Sequence, residues 1–155
     1  MSIEDDVALL EGVPTLRLLG HEALRVLAIG AEQQEFARGS VLFRVGDAAD
    51  CGYLVQSGSF HVSAGPSAQS EDGRAAPNDL TARPGMLIGE MALMVPVVRT
   101  STAVALEYSG AIRIARSLFQ RVLESDPRAA LRLRDEMALR AGQMVGDLAR
   151  LTAKF

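Results

Sequence analysis

The sequence predicts an α+β fold, mainly β, in which an antiparallel β unit lies between N-terminal and C-terminal helices. Apolar residues recur at helical spacing through residue 29, short apolar runs punctuated by glycine follow from Glu35, and helical spacing returns after residue 116. The chain has 155 residues, 48% of them hydrophobic, which suffices for one domain with a real core. We therefore assign residues 1–155 to a single domain.

The N-terminal helices are assigned to residues 1–34. Apolar residues fit short helices within 3–10, 16–19 and 24–29. The sequence Gly-Val-Pro at 12–14 separates the first helix from the second, because neither glycine nor proline favours a helix interior.

The β unit is assigned to residues 35–116. Residues 59–63 alternate between apolar and polar side chains, which is the period of a half-buried antiparallel strand. A polar stretch at 65–84 predicts a long hairpin connection with its tip near 71–74, and a turn is expected at Ser109-Gly110. The predicted strands are 41–43, 53–55, 59–63, 102–106 and 111–114.

The C-terminal helices are assigned to residues 117–155. Ser117 followed by Gln120 fits a capping box, and Asp126-Pro127 fits an N-cap with proline at the first helical position. The helix that opens there can run to the C-terminus. Its apolar residues are spaced alternately by four and three, at Leu133, Met137, Ala141, Met144, Leu148, Leu151 and Phe155.

This spacing is typical of a coiled-coil seam and predicts a homodimer formed through the last helix. The alternative is that the stripe packs on its own β unit. That alternative suits the first turns best, because a helix of this length extends beyond what a small domain can cover. Gly142 and Gly146 leave a smooth patch where a second helix could approach.

Composition argues against several function classes. The net charge is −3 without a basic run, which disfavours nucleic acid as a partner. No apolar run approaches about 20 residues, and the acidic N-terminus does not fit a secretory signal, so a cytoplasmic protein without a membrane span is expected. One cysteine, Cys51, and two distant histidines, His21 and His61, predict neither a disulfide nor a metal site. No catalytic arrangement of side chains is evident, so we expect no enzymatic activity and no resident cofactor.

The most informative segment surrounds Gly89. Glycine allows close approach of the backbone, and residues 90–94 are good helix formers that Pro96 stops. A short helix after a glycine leaves backbone N–H groups unpaired, and these groups attract an anion. Arg99 follows among apolar residues, where its planar guanidinium suits a phosphate. The less specific interpretation is that Arg99 binds backbone carbonyls and that Glu90 caps the short helix.

Gly89-Glu90, Ala92 and Arg99 together follow a known pattern. Their spacing resembles the phosphate-binding cassette of cyclic-nucleotide-binding domains, which has an alanine two residues after the glutamate and an arginine ten positions beyond the glycine. Residues 39–47 and 53–58 are similar to the first two turns of that family's β-roll. The resemblance covers roughly residues 9–133.

The resemblance implies an antiparallel β-roll of eight strands, with the nucleotide inside it and the cassette at 85–102. It implies that Arg99 pairs with the cyclic phosphate, assisted by backbone N–H groups around Met91, Ala92 and Thr100. It also implies that Glu90 accepts a hydrogen bond from the ribose 2′-hydroxyl.

The identity of the base stays open between cAMP and cGMP. In related domains a threonine at the position of Thr100 favours or permits cGMP, whereas alanine or serine is commoner in cAMP receptors. The sequence at 96–98 departs from the commoner ending of the cassette. The last helix is expected to cover the pocket, with Leu131, Arg134 and Met137 facing the base.

These expectations describe a ligand-gated sensor that signals through its C-terminal helix to an unknown downstream protein. One alternative is an interaction scaffold that keeps the fold without a ligand. Another is the sensor part of a transcription regulator, in which a helix-turn-helix would follow the long helix. Because the chain ends at Phe155, within that helix, we expect no DNA-binding domain in it.

Overall fold

The computed structural model describes residues 2–64 and 79–153, with side chains described as far as Ala141. The helices are α1 Ile3–Glu11, α2 Pro14–Arg17, α3 His21–Gly30, a 3₁₀ helix Glu90–Leu93, α4 Arg116–Ser125 and α5 Pro127–Ala153. The strands are β1 Glu32–Phe36, β2 Val41–Phe43, β3 Ala48–Ala49, β4 Cys51–Ser57, β5 Phe60–Ala64, β6 Leu80–Ala82, β7 Leu87–Ile88, β8 Val97–Val98, β9 Ser101–Ala105 and β10 Ser109–Ala115.

The strands form an antiparallel β-roll, which confirms the predicted fold class. One four-stranded sheet has the order β1-β10-β4-β7, and the other has the order β2-β9-β5-β6. β3 and β8 form a separate two-stranded sheet, and β8 belongs to the cassette segment. The helices precede and follow this unit in the predicted order.

Two hydrophobic clusters lie on opposite faces of the β4–β10 pair. Leu54 and Ile112 point into the cluster shared with the helices, whereas Val55 and Ala111 point into the roll. The helical cluster consists of residues that include Val7, Leu10, Leu16, Leu24, Leu27, Leu54, Leu93, Ile112, Ile114, Phe119, Val122 and Leu133. The roll cluster includes Phe43, Cys51, Tyr53, Val55, Phe60, Val62, Ala82, Ile88, Ala103, Ala105 and Ala111.

Side-chain caps fix two helix starts. Ser2 and Asp5 form a reciprocal capping box at α1, and the hydrogen bond from the Ser2 backbone lowers the pKa of Asp5. Asp126 accepts from the Ala129 N–H at 3.2 Å, which confirms the predicted start of α5. The predicted capping box at Ser117 is wrong, because α4 begins at Arg116 after an Ala115 N-cap.

Two predicted boundaries in the β unit are also wrong. The β unit begins at Glu32 rather than at 35, with a strand, β1, that was not among the predicted strands. Pairing with β10 imposes the extended conformation on this polar segment, which has no strand pattern of its own. Ser109-Gly110 lies in β10 rather than in a turn. Ser109 is fully buried, and its hydroxyl donates to the Ser59 carbonyl at 3.1 Å.

The first part of the predicted seam packs on its own domain. Leu133 belongs to the helical cluster, and Met137 packs against it. The seam positions from Met144 onward and Gly142 and Gly146 lie outside the described side chains, as does the predicted loop tip at 71–74. The homodimer therefore stays a prediction. Within the described residues, no helix combines the length and apolar character needed to cross a membrane.

Candidate ligand-binding site

A cavity of about 410 Å³ opens in the roll beside the cassette. Apolar walls come from β2, β5, β6 and β7 through Phe43, Val62, Ala82 and Ile88. A few polar groups converge on these walls, which is typical of a small-molecule site. The structure brings all six predicted cassette residues to this cavity: Gly89, Glu90, Met91, Ala92, Arg99 and Thr100.

Gly89 has the left-handed backbone that the cassette needs, with φ of 80° and ψ of 40°. It is the N-cap of the 3₁₀ helix, and its carbonyl accepts from the Ala92 N–H at 3.1 Å. A Cβ atom built at Gly89 would lie only 2.3 Å from Nη1 of Arg99. The position therefore requires glycine both for its backbone and for the arginine beside it.

Replacing Gly89 with alanine should disturb both stability and the site. Left-handed backbone costs a residue with a Cβ atom roughly 1–2 kcal/mol, so the free energy of unfolding should fall by that amount. Ligand affinity should fall as well, since Arg99 must move. Urea unfolding and calorimetric titration would measure the two effects.

Gly39→Ala is the matched control for this variant. Gly39 also has positive φ, 86°, but nothing lies within 4 Å of the Cβ that would be added. It should lose similar stability and keep its affinity. If Gly89→Ala bound the ligand as tightly as Gly39→Ala does, the close contact at Gly89 would have no bearing on the site.

Arg99 is buried within the roll, with 7% of its surface exposed. Its Nη2 donates to the Cys51 carbonyl at 2.7 Å, and its guanidinium carbon lies 4.2 Å from the centre of the Phe43 ring. No carboxylate forms an ion pair with it among the described residues. The guanidinium has five N–H donors in a fixed plane, so it can hold the carbonyl and still bind an anion. Arg99 thus binds a backbone carbonyl, as the less specific interpretation expects, and it still has donors for a ligand.

Backbone hydrogen bonds fix where Arg99 sits. Its N–H donates to the Asp47 carbonyl at 2.8 Å, and its own carbonyl accepts from Gly46 at 2.9 Å. The unusual sequence at 96–98 ends in β8, where Val98 pairs with Ala48. The turn at Gly46-Asp47 therefore positions the arginine, a role that its sequence pattern did not indicate.

Arg116 secures the other side of the cassette. Its Nη1 donates to the carbonyls of Ala49 at 3.0 Å, Ala92 at 3.3 Å and Val95 at 3.0 Å. The same side chain thus ties β3 to the C-terminal end of the short helix and to the residues that follow it. The only sequence signal was an arginine at the junction of a strand and a helix.

Aromatic rings form the surroundings of the Arg99 side chain. Phe43 and Tyr53 stack with their ring centres 6.1 Å apart, and the guanidinium carbon is 5.8 Å from the Tyr53 ring centre. Burial, followed by the hydrogen bond with the Cys51 side chain, raises the pKa of Tyr53 to about 12. The phenol therefore stays neutral at physiological pH and leaves Arg99 without a phenolate partner.

Glu90 faces two helices as well as the cavity. Its Oε1 accepts from the Thr15 hydroxyl in α2 and lies 3.7 Å from Nη1 of Arg140 in α5. Arg140 also donates from Nε to Oε1 of Glu136, one turn earlier on α5, at 3.3 Å. Thr15 and Arg140 are 75 and 50 positions from Glu90, too far for any local sequence pattern to indicate the contact.

The residues predicted to face the base lie elsewhere in this conformation. Leu131 is 47% exposed, Arg134 is near Asp135 at 3.9 Å, and Met137 packs on the helical cluster. None of the three lines the cavity. Their contact with a base stays a prediction for a ligand-bound state. Thr100, in contrast, is exposed at the cavity beside Arg99.

The fold and the site together define a β-roll domain with a cavity that a buried arginine side chain lines. Comparison with protein families gives the class: the sequence model for the cyclic nucleotide-binding domain matches residues 33–126. The chain belongs to the cyclic nucleotide-binding domain family, which confirms the resemblance seen in the sequence. Among the described residues, no group of three His, Cys, Asp or Glu side chains could hold a metal ion.

Solved structures show the same relationship. The chain is 37% identical to a cyclic nucleotide-binding-like protein from Brucella abortus, covering 77% of this chain and 98% of that one, with a TM-score of 0.66. It is 29% identical to the N-terminal domain of a transcriptional regulator from Streptomyces coelicolor, covering 90% and 94%, with a TM-score of 0.78. The catabolite activator protein of Thermus thermophilus shares the fold, at 24% identity and a TM-score of 0.66, covering 90% of this chain and 63% of that one. No curated protein sequence matches the chain significantly.

Proposed function

We propose that the cavity binds a cyclic mononucleotide, cAMP or cGMP, and that binding regulates a partner through α5. The observation that carries this proposal is Arg99, a buried arginine at the cavity wall without a carboxylate partner in the described part of the chain. A buried charge is costly unless it is paired. A cyclic phosphate supplies one negative charge and two exocyclic oxygens that can accept parallel hydrogen bonds from the guanidinium.

The cavity dimensions and remaining groups support the same ligand. Its volume of about 410 Å³ lies in the range of small-molecule sites, roughly 300–1,000 Å³. In this proposal Arg99 pairs with the cyclic phosphate beside the backbone of Met91 and Ala92, and Glu90 accepts from the ribose 2′-hydroxyl. Thr100 donates its hydroxyl to the phosphate or to the base.

The first experiment is calorimetric titration of the protein with cAMP and cGMP, repeated with Thr100→Ala. We expect micromolar or tighter binding. Thr100→Ala should weaken binding about two- to tenfold if the hydroxyl donates to the base, since a neutral hydrogen bond contributes about 0.5–1.5 kcal/mol. The loss should be at least about tenfold if the hydroxyl donates to the charged phosphate, where a hydrogen bond contributes about 1.5–3 kcal/mol. Thr81→Ala is the control, because Thr81 does not line the cavity.

The comparison of the two nucleotides would identify the base that Thr100 contacts. Equal effects of Thr100→Ala on both would assign its hydroxyl to the phosphate, which they share. No heat with either nucleotide, from protein shown to be folded by circular dichroism, would contradict the proposed function. The chain would then be an interaction scaffold that keeps the fold.

The regulatory part of the proposal rests on α5 and on a relative. The Streptomyces coelicolor structure is the N-terminal domain of a transcriptional regulator, which favours a sensor role and keeps open that this chain is the sensor part of such a regulator. In our proposal α5 forms a homodimer in the cytoplasm and transmits ligand binding to a downstream protein. Light scattering at tens of micromolar, with and without nucleotide, tests the dimer; a monomer in both conditions would contradict it.

A further inference from the structure

The guanidinium of Arg99 lies over the aromatic ring of Phe43. Its central carbon is 4.2 Å from the ring centre, within the limit of about 6 Å for attraction between a cation and the electron-rich face of a ring. Both residues are 7% exposed, and removal from water strengthens this attraction. The ring of Tyr53 stacks with that of Phe43, so the aromatic surface next to the cation is itself held in place.

Two further contacts hold the edges of the guanidinium. Nη2 donates to the Cys51 carbonyl at 2.7 Å and lies 3.4 Å from the Cys51 sulfur. Nη1 lies against the backbone of Gly89, where an added Cβ would be only 2.3 Å away. The ring, the carbonyl and the glycine therefore define the position of the cation before a ligand enters, and such preorganisation favours binding.

The ring of Phe43 is a neutral partner for a buried cation. No carboxylate forms an ion pair with Arg99 among the residues that the structure describes. A carboxylate in this place would cancel the charge and compete with an incoming anion, whereas a ring attracts the cation through its quadrupole and carries no net charge. Arg99 thus has a partner without a ligand and keeps its full positive charge for an anionic one.

We propose that Phe43 is a positioning residue that holds the Arg99 guanidinium for the phosphate of the ligand. The proposal rests on the proposed function and adds to it a residue outside the cassette. Both residues line the cavity, Phe43 at the end of β2 and Arg99 directly after β8. Without the ring, the long arginine side chain gains rotamers, and binding must then order it again, which lowers the affinity.

Phe43→Leu should weaken binding of cAMP or cGMP about two- to thirtyfold. Leucine keeps much of the volume but has no aromatic face, and a contact between a cation and a ring contributes about 0.5–2 kcal/mol. In the Arg99→Gln background the same replacement should weaken binding less than about twofold, because the positive charge through which Phe43 acts is gone. Calorimetric titration gives all four affinities. A similar loss in both backgrounds would assign Phe43 a role in shape alone and overturn the positioning role.

Fluorinated rings separate charge attraction from shape. Phenylalanine analogues with an increasing number of ring fluorine atoms, introduced at position 43, keep the shape of the ring but withdraw electrons from its face. Affinity for the nucleotide should fall as fluorine is added, and equal affinity of all the analogues would overturn the proposal. Phe36→Leu is the matched control, because Phe36 also packs on the roll cluster but makes its ring contact with Phe60 and does not line the cavity. It should bind as the unaltered protein does.

Urea unfolding without ligand separates this proposal from the proposed function. Phe43→Leu should lower the urea midpoint more when residue 99 is arginine than when it is glutamine, because only arginine attracts the ring as a cation. If Arg99→Gln did not fold, the fluorinated series in the unaltered background would decide, with a midpoint that falls as fluorine is added. If the unaltered protein bound neither nucleotide, the proposed function and the positioning role would both fail. Unequal midpoint shifts would then still establish the contact between Phe43 and Arg99, and equal shifts would overturn that as well.

Discussion

Replacing Arg99 with glutamine should weaken binding of the cyclic nucleotide at least tenfold. A hydrogen bond to a charged group contributes about 1.5–3 kcal/mol, which corresponds to a factor of roughly ten to a hundred or more in affinity. Glutamine keeps a polar amide but brings no charge, and it is too short to replace the bond from Nη2 to the Cys51 carbonyl. The loss of affinity therefore reports the phosphate contact only if the variant is folded.

The design needs a graded variant and a remote one. Arg99→Lys keeps the charge but not the planar pair of donors, so its affinity should lie between that of the unaltered protein and that of Arg99→Gln. Arg38→Gln removes an exposed arginine outside the cavity and should change nothing. Calorimetry gives the affinities, and urea unfolding shows whether each variant is folded. Unaltered affinity in folded Arg99→Gln would contradict the phosphate role.

Truncating Phe60 to alanine should produce the largest loss of stability in the roll. Phe60 is fully buried, and its ring meets that of Phe36 edge to face with 5.7 Å between centres. Its partners across the sheet are Ala82 and Ala105, whose short side chains cannot fill the space left behind. Removing a buried phenylalanine costs about 3–5 kcal/mol, and poor collapse around the cavity favours the upper end.

That loss is large beside a typical total of about 5–15 kcal/mol for a domain. Phe60→Leu keeps most of the volume and should cost less than about 2 kcal/mol. Urea unfolding followed by far-ultraviolet circular dichroism would measure both. A loss below about 1 kcal/mol for the alanine variant would show that the roll repacks around the position in a way that its alanine neighbours do not suggest.

Local patterns in the sequence predicted the fold class and most of the long elements. Residues 59–63 alternate, and they form β5 nearly as expected. Asp126-Pro127 starts α5 because capping depends only on neighbours in the chain. Local patterns did not predict β1, because a segment of glutamates and glutamines becomes a strand only by pairing with β10.

The candidate site divides in the same way. Gly89, Glu90 and Arg99 were found because the cassette is a contiguous segment whose spacing carries the information. Thr15 and Arg140 were missed because their contact to Glu90 is made by folding and has no fixed spacing. The three residues expected at the base were placed by analogy with a lid, and α5 lies against the helical cluster instead.

The pairing of β1 with β10 has a consequence for how the chain is made. Glu32 pairs with Arg113, which emerges about 80 residues later, several seconds at a synthesis rate of about 5–20 residues per second. During that interval the first strand has no partner in the nascent chain and could associate with a neighbouring polypeptide. The glutamates and glutamines of β1 kept its strand pattern from being seen in the sequence. They also give its exposed edge charge and little apolar surface. The polar sequence of β1 thus protects the domain at the stage when its sheet cannot yet close.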